Sequence, residues 1–434
     1  MILISVYPSP SRILIRPRTH LANTFTPHIY IAGQHDLSSV DCLLARVLES
    51  CWLIFKTFSL FDLFFALPRS SIFTMAPAQI ALPGAPHELL PKPSLQTTQY
   101  NEEVLEDAAV RTVDALVRRR ARLNPHATIV SYPSSGVEFV DYSMQQLDVF
   151  AYRVARHYQT FIPTRTSSST PPTTVAILGP SNFDYLVTML ALTKLGHTVL
   201  FLSTRLSQLA VESLIETTGA TYLLADARFL QLANDASENV TYLQTGSIAG
   251  SSVFGFPIEV HADTRMDYHL DPTVEENNNI YIIHSSGMWD GRFGNIPLIN
   301  PGSTGLPKPI YQPQRNAIVN YASSMKMKAF ITLPLYHNHG ICNFFRAIYS
   351  GKPIHIYNAD LPLTQSYLTA ILRMHNFEIF YGVPYALKLL AETSEGIELL
   401  KQLKIVMYGG SACPDTLGDL LVEQGINLVG HYGA

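Results

Sequence analysis

The sequence predicts an α/β protein in which mostly parallel sheets are flanked by helices. Short runs of β-branched residues alternate with segments of helical period, as in repeated βαβ units. The runs are mostly apolar, which is typical of strands that are covered on both faces. Hydrophobic residues make up 47% of the 434 residues and charged residues 15%, so the chain can bury the cores of two or three lobes.

Individual strands and helices follow from this pattern. The predicted strands are Val175–Pro180, Thr198–Ser203, Thr221–Ala225, Pro353–Tyr357, Glu378–Tyr381 and Ile405–Tyr408. Helices are predicted over Asn182–Leu195 and Ser207–Thr218, ended by Gly196 and Gly219 respectively. The tract Pro163–Thr174 has no apolar period and is predicted as a surface loop. Ligands are expected at the carboxyl ends of the strands, where an open sheet leaves a crevice.

Charge and cysteine content exclude several classes of function. The formal net charge of −4 lacks the basic excess of nucleic-acid-binding proteins, and the apolar content argues against disorder. No Cys-x-x-Cys spacing occurs among Cys42, Cys51, Cys342 and Cys413. Reduced thiols are therefore expected, and a cysteine-rich zinc site is not. We expect a cytoplasmic protein with no nucleic-acid partner.

The first 74 residues differ from the rest of the chain. Leu43–Leu67 is apolar enough to suggest a membrane span, but it is interrupted by Arg46, Glu49, Lys56 and Asp62. Each such charge costs about 2.5–3.5 kcal/mol at the bilayer centre, so a membrane partner is not expected. Met75 opens a polar, proline-rich lead-in to the regular pattern. We hypothesise that translation starts there and that residues 1–74 are not native coding sequence; an anchor or targeting segment is the alternative.

A split loop carries the strongest chemical signal. The predicted strand Ile280–His284 runs into Ser285-Ser286-Gly287, and fifteen residues further on stands Ser303-Thr304-Gly305-Leu306-Pro307-Lys308. Glycines let backbone N–H groups turn toward an anion, hydroxyls add donors, and lysine adds a positive charge, so together they predict a phosphate cradle. Pro309 follows the lysine, whereas in the common nucleotide-triphosphatase loop Ser or Thr follows it.

Read across the gap, SSG-STGLPK resembles the phosphate-binding signature of adenylate-forming enzymes: acyl-CoA synthetases, luciferase-like ligases and nonribosomal peptide synthetase adenylation domains. Other stretches agree with that family in their order: Met189–Arg205, Leu333–Gly340, Tyr408–Ala412 and His431–Ala434. The residues of the phosphate loop and of Leu333–Gly340 are most similar to those of fungal synthetase-like carboxylate reductases. The resemblance implies that residues 75–434 form part of the large N-terminal domain of the adenylate-forming fold.

The resemblance also implies roles for individual residues. The phosphates of ATP would be held by Ser285, Ser286, Gly287, Ser303, Thr304, Gly305 and Lys308. His337 and Lys308 would be catalytic, with the imidazole at the junction of acid and phosphate. Adenine would lie against Gly409, Gly410 and Ser411, and the motif of Tyr432 and Gly433 would add a stacking ring. Taken alone, His337 and His339 are typical loop histidines, and Tyr432 could be a core aromatic residue.

The function implied is activation of a small carboxylic acid by ATP and Mg²⁺ as an acyl-adenylate, for transfer to a phosphopantetheine carrier domain or CoA. No residue of this chain is assigned as a metal ligand. A noncatalytic nucleotide- or acyl-binding protein is the alternative, and a phosphatase built on the common P-loop is disfavoured. The sequence leaves open which acid is used, whether carrier and reductase domains follow, and the oligomeric state.

Two departures from the family pattern bear on activity. Residues 288–302 interrupt the phosphate loop, and the codons possible around Gly287-Met288-Trp289 and Pro301-Gly302 can hold intron splice sites. We hypothesise a retained intron, with a regulatory lid as the alternative. The second departure is that the sequence stops within the motif of His431–Ala434, before the family's Thr-Glu pair, ribose-binding aspartate and C-terminal lysine. We therefore expect an incomplete catalytic fragment.

Overall fold

A computed structural model describes residues 110–255, 264, 266, 270–285 and 306–431. Residues 1–74 and 288–302, on which the sequence analysis makes specific predictions, lie outside the described residues. Within the described part of the chain, no helix has both the length and the apolar character needed to cross a bilayer.

One sheet has six strands in the order β6-β5-β3-β4-β7-β8. Its strands are β3 (Thr174–Leu178), β4 (Thr198–Leu202), β5 (Tyr222–Ala225), β6 (Gln244–Ser247), β7 (Asn279–His284) and β8 (Pro309–Pro313). All pairs are parallel except β7 and β8. The antiparallel edge strand β8 follows β7 directly among the described strands, so it returns the chain from the end where the ligand crevice is expected.

The other sheet has seven strands in the order β13-β12-β11-β9-β10-β1-β2. Its strands are β1 (Thr128–Ser135), β2 (Glu138–Ser143), β9 (Ala329–Ile331), β10 (Ile354–Ile356), β11 (Ile379–Gly382), β12 (Ile405–Gly409) and β13 (Leu428–His431). Only the β1–β2 hairpin is antiparallel. The carboxyl ends of β9, β11, β12 and β13 therefore share one edge.

Helices cover these sheets. They are α1 (Val113–Leu123), α2 (Met144–Tyr158), α3 (Phe183–Lys194), α4 (Gln208–Thr218), α5 (Leu230–Asn239), α6 (Ser251–Phe254), α7 (Pro272–Glu275), α8 (Gln314–Ala322), α9 (Asn338–Ser350), α10 (Gln365–Met374), α11 (Pro384–Ala391), α12 (Ser394–Lys401) and α13 (Asp415–Glu423). The Asn182 side chain caps α3, and Ser207 caps α4. Gly219 ends α4 in the left-handed region at φ 64°, where glycine avoids a Cβ clash.

The predicted α/β architecture is confirmed, with shifts of one or two residues at element ends. The helix predicted over Asn182–Leu195 is α3, and the strand predicted over Glu378–Tyr381 is β11. The tract Pro163–Thr174 is a mostly exposed loop, as predicted. One of its residues, Arg165, is nevertheless buried and pairs with the equally buried Glu275 of α7. This anchor was not predicted, because the partner lies 110 residues away.

Apolar packing joins the two sheets. One continuous core includes Ile177 of β3, Ile283 of β7, Ile331 of β9 and Ile354 of β10. Hydrogen bonds join the loops at the carboxyl ends of the strands as well. The backbone N–H of Leu335 donates to Ser181 Oγ at 2.7 Å. These contacts bring the ends of strands from both sheets to one place.

Candidate functional site

Ser285 and Lys308 close the base of the predicted phosphate loop. The N–H of Ser285 donates to the carbonyl of Lys308, and the N–H of Lys308 donates to Ser285 Oγ, both at 3.0 Å. The register of β7 against β8 places His284 opposite Pro309. We call this pair of hydrogen bonds the neck. It involves no residue of 288–302, and it leaves the Lys308 side chain exposed.

His284 ties the neck to the neighbouring strand. Its Nε2 accepts the Ser203 N–H, just past β4, at 3.1 Å, and its Nδ1 lies 2.9 Å from the Ser285 carbonyl. An acceptor Nε2 requires the proton on Nδ1, so these contacts select one neutral tautomer. Burial lowers the pKa of His284, while the bond to Ser285 opposes the shift.

His337 stands at the N-cap position of α9 and interacts electrostatically with His284. Burial around the ring lowers its pKa, and coulombic interaction with His284 and with the charged Arg205 lowers it further. The side chain also keeps a face in solvent, so water screens part of this effect. The preceding Tyr336 hydroxyl lies 3.2 Å from Thr204 Oγ1. The predicted acid-site loop and the segment after β4 therefore form one surface.

The glycine-rich end of β12 forms a second part of the site. Gly409 is buried, and a Cβ there would lie 2.6 Å from His339 Nδ1 and 2.8 Å from the His431 carbonyl. Gly410 has φ +85°, which side chains rarely tolerate. Gly410 and Ser411 are exposed. Their backbone is therefore open to a ligand, while Gly409 packs against histidine below.

His339 fills the space under Gly409. Its ring centroid is 4.5 Å from that of His431 and 6.0 Å from that of Tyr381. Neither ring nitrogen has a hydrogen-bond partner among the described residues. Burial lowers the pKa of His339 to about 3, helped by positive charge at His431 and Arg346.

The structure thus connects several of the predicted residues through direct neighbours. Ser285 and Lys308 form the neck, and His284 joins it to Ser203. Thr204 contacts Tyr336 next to His337, and a Cβ on Gly409 would meet His339. Outside the described residues lie Ser286, Gly287, Ser303, Thr304, Gly305, Tyr432 and Gly433.

Sequence reasoning missed two contributors to this site. They are His284, which joins the neck to Ser203, and Thr204, whose hydroxyl contacts Tyr336 of the predicted acid-site loop. The position of His284, a polar residue at the end of an apolar strand, could have predicted its place in the site. Nothing in the sequence pairs Thr204 with a tyrosine 132 positions away. In the part of the chain that the structure describes, no three His, Cys, Asp or Glu residues are grouped to hold a metal.

Residues 301–434 match the family model described as AMP-binding enzyme. An adenylate-forming reductase from Aspergillus terreus is 28% identical over 60% of this chain and 24% of its own length. A carboxylic acid reductase from Neurospora crassa is 25% identical over 73% of this chain and 30% of its own. The chain is therefore similar in sequence to adenylate-forming (AMP-binding) enzymes, over residues 301–434 for the family model and over 60–73% of the chain for these relatives.

Solved structures share the fold of this chain. The luciferase-like enzyme from the mealworm Zophobas morio has a TM-score of 0.58 at 13% identity, covering 74% of this chain and 72% of its own. The N-terminal domain of FACL13 from Mycobacterium tuberculosis has a TM-score of 0.57 at 16% identity, covering 75% and 76%. The two curated relatives are much longer, since the chain spans about a quarter to a third of their length.

Proposed function

We propose that the chain activates a carboxylic acid with ATP as an acyl-adenylate, releasing pyrophosphate. The observations that carry the proposal are the contacts from the Lys308 neck to His284 and Ser203, and the contact of the next residue, Thr204, with Tyr336 beside His337. These contacts lie at strand ends in a chain whose residues 301–434 match the AMP-binding model. The curated relatives are named for adenylate formation and carboxylic acid reduction, which supports an acid as the substrate.

The reaction joins a carboxylate oxygen to the α-phosphorus of ATP. The bond from that phosphorus to the oxygen shared with the β-phosphate breaks, and its electrons leave with pyrophosphate. Positioning of the reactants and stabilisation of the developing charge account for most of the rate enhancement in such transfers. The exposed ammonium of Lys308 stands beside the neck, where it would neutralise the charge that develops on the leaving phosphates.

His337 would orient the acid. Its lowered pKa keeps the ring neutral at pH 7, so one ring nitrogen donates a hydrogen bond and the other accepts one. The ring stands at the start of α9, where no side chain in the described part of the chain caps the helix. Backbone N–H groups of that first turn and the helix dipole favour a carboxylate there.

The remaining assignments complete the proposal. Gly409, Gly410 and Ser411 would present backbone to adenine, followed by Tyr432 and Gly433. Ser286, Gly287, Ser303, Thr304 and Gly305 would surround the phosphates. Mg²⁺ would neutralise phosphate charge, but no three His, Cys, Asp or Glu side chains in the described part of the chain are grouped to hold it. The acyl group would pass to a phosphopantetheine carrier or CoA. Residues 75–434 would be the adenylating part, with 288–302 an insertion in it.

ATP–pyrophosphate exchange tests the proposal directly. The full chain is incubated with Mg-ATP, labelled pyrophosphate and a panel of carboxylic acids, and acid-dependent label in ATP is measured. Lys308→Met should lower exchange about 10²–10³-fold, as losing one preorganised charge partner does. Unfolding should be unchanged, because the neck uses only the backbone of Lys308.

Lys388→Met is the matched control, since Lys388 is an exposed lysine on α11, outside the site. Equal exchange by the wild type and both variants would contradict the role of Lys308. Saturable ATP binding without acid-dependent exchange would instead support the noncatalytic binding protein.

A further inference from the structure

Four aromatic rings gather where the β1–β2 hairpin meets β10 and the end of α10. They belong to Phe139 of β2, His355 of β10, His375 directly after α10 and Phe377 shortly before β11. The centroid of the His355 ring is 5.0 Å from those of Phe139 and His375 and 4.9 Å from that of Phe377. The centroids of Phe139 and His375 are 5.3 Å apart. We call these four residues the ring cage.

The first half of β2 depends on the ring cage for its apolar contacts. β2 lies at the edge of its sheet, where its described neighbour is β1. Of its first four residues, Phe139 alone is not exposed, and it packs on both histidine rings. Two further side-chain contacts of the hairpin are polar. Ser131 Oγ donates to Asp141 Oδ1 at 2.5 Å, and Asn358 Nδ2 donates to the Gly136 carbonyl at 3.0 Å. Separating Phe139 from the histidine rings would therefore free the apolar anchor of this strand.

His355 is enclosed by the ring cage. The residue is 4% exposed, and its Nδ1 has no hydrogen-bond partner among the described residues. A charged imidazole carries two N–H donors, and both need an acceptor or water. Burial without such partners disfavours the charged form. The closed ring cage therefore favours the neutral ring of His355.

The groups around His355 reinforce this preference. Three titratable groups act on the ring: Lys328 before β9, His375 after α10 and Asp141 of β2. Its register partners in β1 and β9 are uncharged: Ser131 and Phe330. Burial is the largest cause that lowers the pKa of His355 to about 3. Lys328 and His375 act in the same direction, and Asp141 opposes them. The surroundings as a whole therefore disfavour a positive charge on His355.

We propose that the ring cage is an acid-sensitive latch, which holds the tip of the β1–β2 hairpin on the sheet and releases it when His355 takes up a proton from solvent. The imidazolium needs water at its N–H groups, and moving Phe139 away with the edge strand would admit that water. Because β2 is an edge strand, this movement requires no other strand to leave the sheet. Local opening of this kind costs less free energy than unfolding of the whole domain.

Hydrogen–deuterium exchange of the full chain at pH 7.5 and pH 5.0 tests the latch. Each amide rate is compared with that of an unstructured peptide at the same pH, which gives a protection factor. If opening exposes His355, its pKa rises from about 3 to about 6.5. The contribution of the latch is then complete above pH 6.5 and is lost as the pH falls toward 3. Protection of the β2 amides should therefore fall about thirtyfold between the two pH values. The amides of β3 should stay at least about tenfold better protected than those of β2.

Two variants of His355 isolate the titrating group. His355→Phe keeps a ring in the cage, and its β2 protection should fall by less than about threefold over the same range. His355→Gln also lacks a titrating group and should show the same small fall, even if altered packing lowers its protection at both pH values. His126→Phe, at an exposed histidine in the turn before β1, is the matched control and should keep the full thirtyfold fall.

A packing role for His355 predicts a different result, because its loss would change β2 protection by the same factor at both pH values. Protection of β2 that does not depend on pH would overturn the latch, and so would an undiminished fall in both His355 variants. Equal protection of β2 and β3 at pH 5.0 would also overturn it, since acid would then unfold the whole domain and not the hairpin.

Discussion

The two parts of the candidate site are held in place by different forces. At the neck, Ser285 and Lys308 exchange two hydrogen bonds at 3.0 Å, and the functional lysine side chain remains exposed. At the end of β12, Gly409 is positioned by close packing on His339 and the His431 carbonyl. The imidazole under it makes no hydrogen bond to a described residue.

This difference determines what each part tolerates. A hydrogen-bonded neck keeps its shape when a side chain changes, because backbone atoms make most of its contacts. A sterically packed glycine has no such freedom, since any Cβ meets atoms that cannot move apart. We therefore expect substitutions at the β12 end to affect both folding and activity, and substitutions at the neck to affect mainly activity.

Gly409→Ala should have the largest effect. Its Cβ would stand 2.8 Å from the His431 carbonyl and 2.6 Å from the ring of His339. Overpacking of this kind costs about 1–3 kcal/mol, and a shift of about 1 Å in the adenine-facing backbone would lower exchange about a hundredfold. Urea unfolding and pyrophosphate exchange measure the two effects.

Gly418→Ala is the matched control for that substitution. Gly418 lies inside α13, and a Cβ there would meet nothing within 4 Å. Alanine should stabilise the helix by about 0.5–1 kcal/mol. Similar unfolding curves for the two variants would show that Gly409 is not held by packing.

His339 gives the same region a dependence on pH. Its pKa is about 3 in the folded chain against about 6.5 when unfolded. The folded state therefore favours the neutral ring, so this contribution is fully present above pH 6.5 and is lost as the pH falls toward 3. At pH 5 the loss should be about 2 kcal/mol. His339→Leu should abolish it and flatten the decline in stability between pH 8 and pH 5.

The quantity to measure is the change in the free energy of unfolding between pH 8 and pH 5. A change in packing alone would shift the unfolding midpoints at both pH values by the same amount. The exposed His126→Leu should keep the wild-type slope. A His339→Leu variant with that same slope would mean that another buried ring, such as His355, dominates the acid response.

The same contrast explains what could be predicted from the sequence. Strands, helix ends and the split loop follow from local patterns, as α3 and its cap at Asn182 show. The pairing of Ser285 with Lys308 also follows once β7 and β8 are neighbours. The packing of His339 under Gly409 could not be predicted, because it joins positions 70 residues apart through side-chain volume alone. For the same reason the sequence does not predict that the Tyr281 hydroxyl is buried without a hydrogen-bond partner among the described residues.

Ser285→Ala should have the smallest effect. It removes the hydroxyl that accepts the Lys308 N–H, but it keeps the bond from the Ser285 N–H to the Lys308 carbonyl. Half of the neck remains, so the free energy of unfolding should fall by only about 1 kcal/mol. Exchange should fall about tenfold, because Lys308 is held less firmly.

Ser134→Ala, whose hydroxyl makes one long bond of 3.4 Å at the exposed end of β1, should match the wild type in both assays. If Ser285→Ala lowered stability as much as Gly409→Ala, the neck would depend on its side chain, and the two parts of the site would not differ in kind.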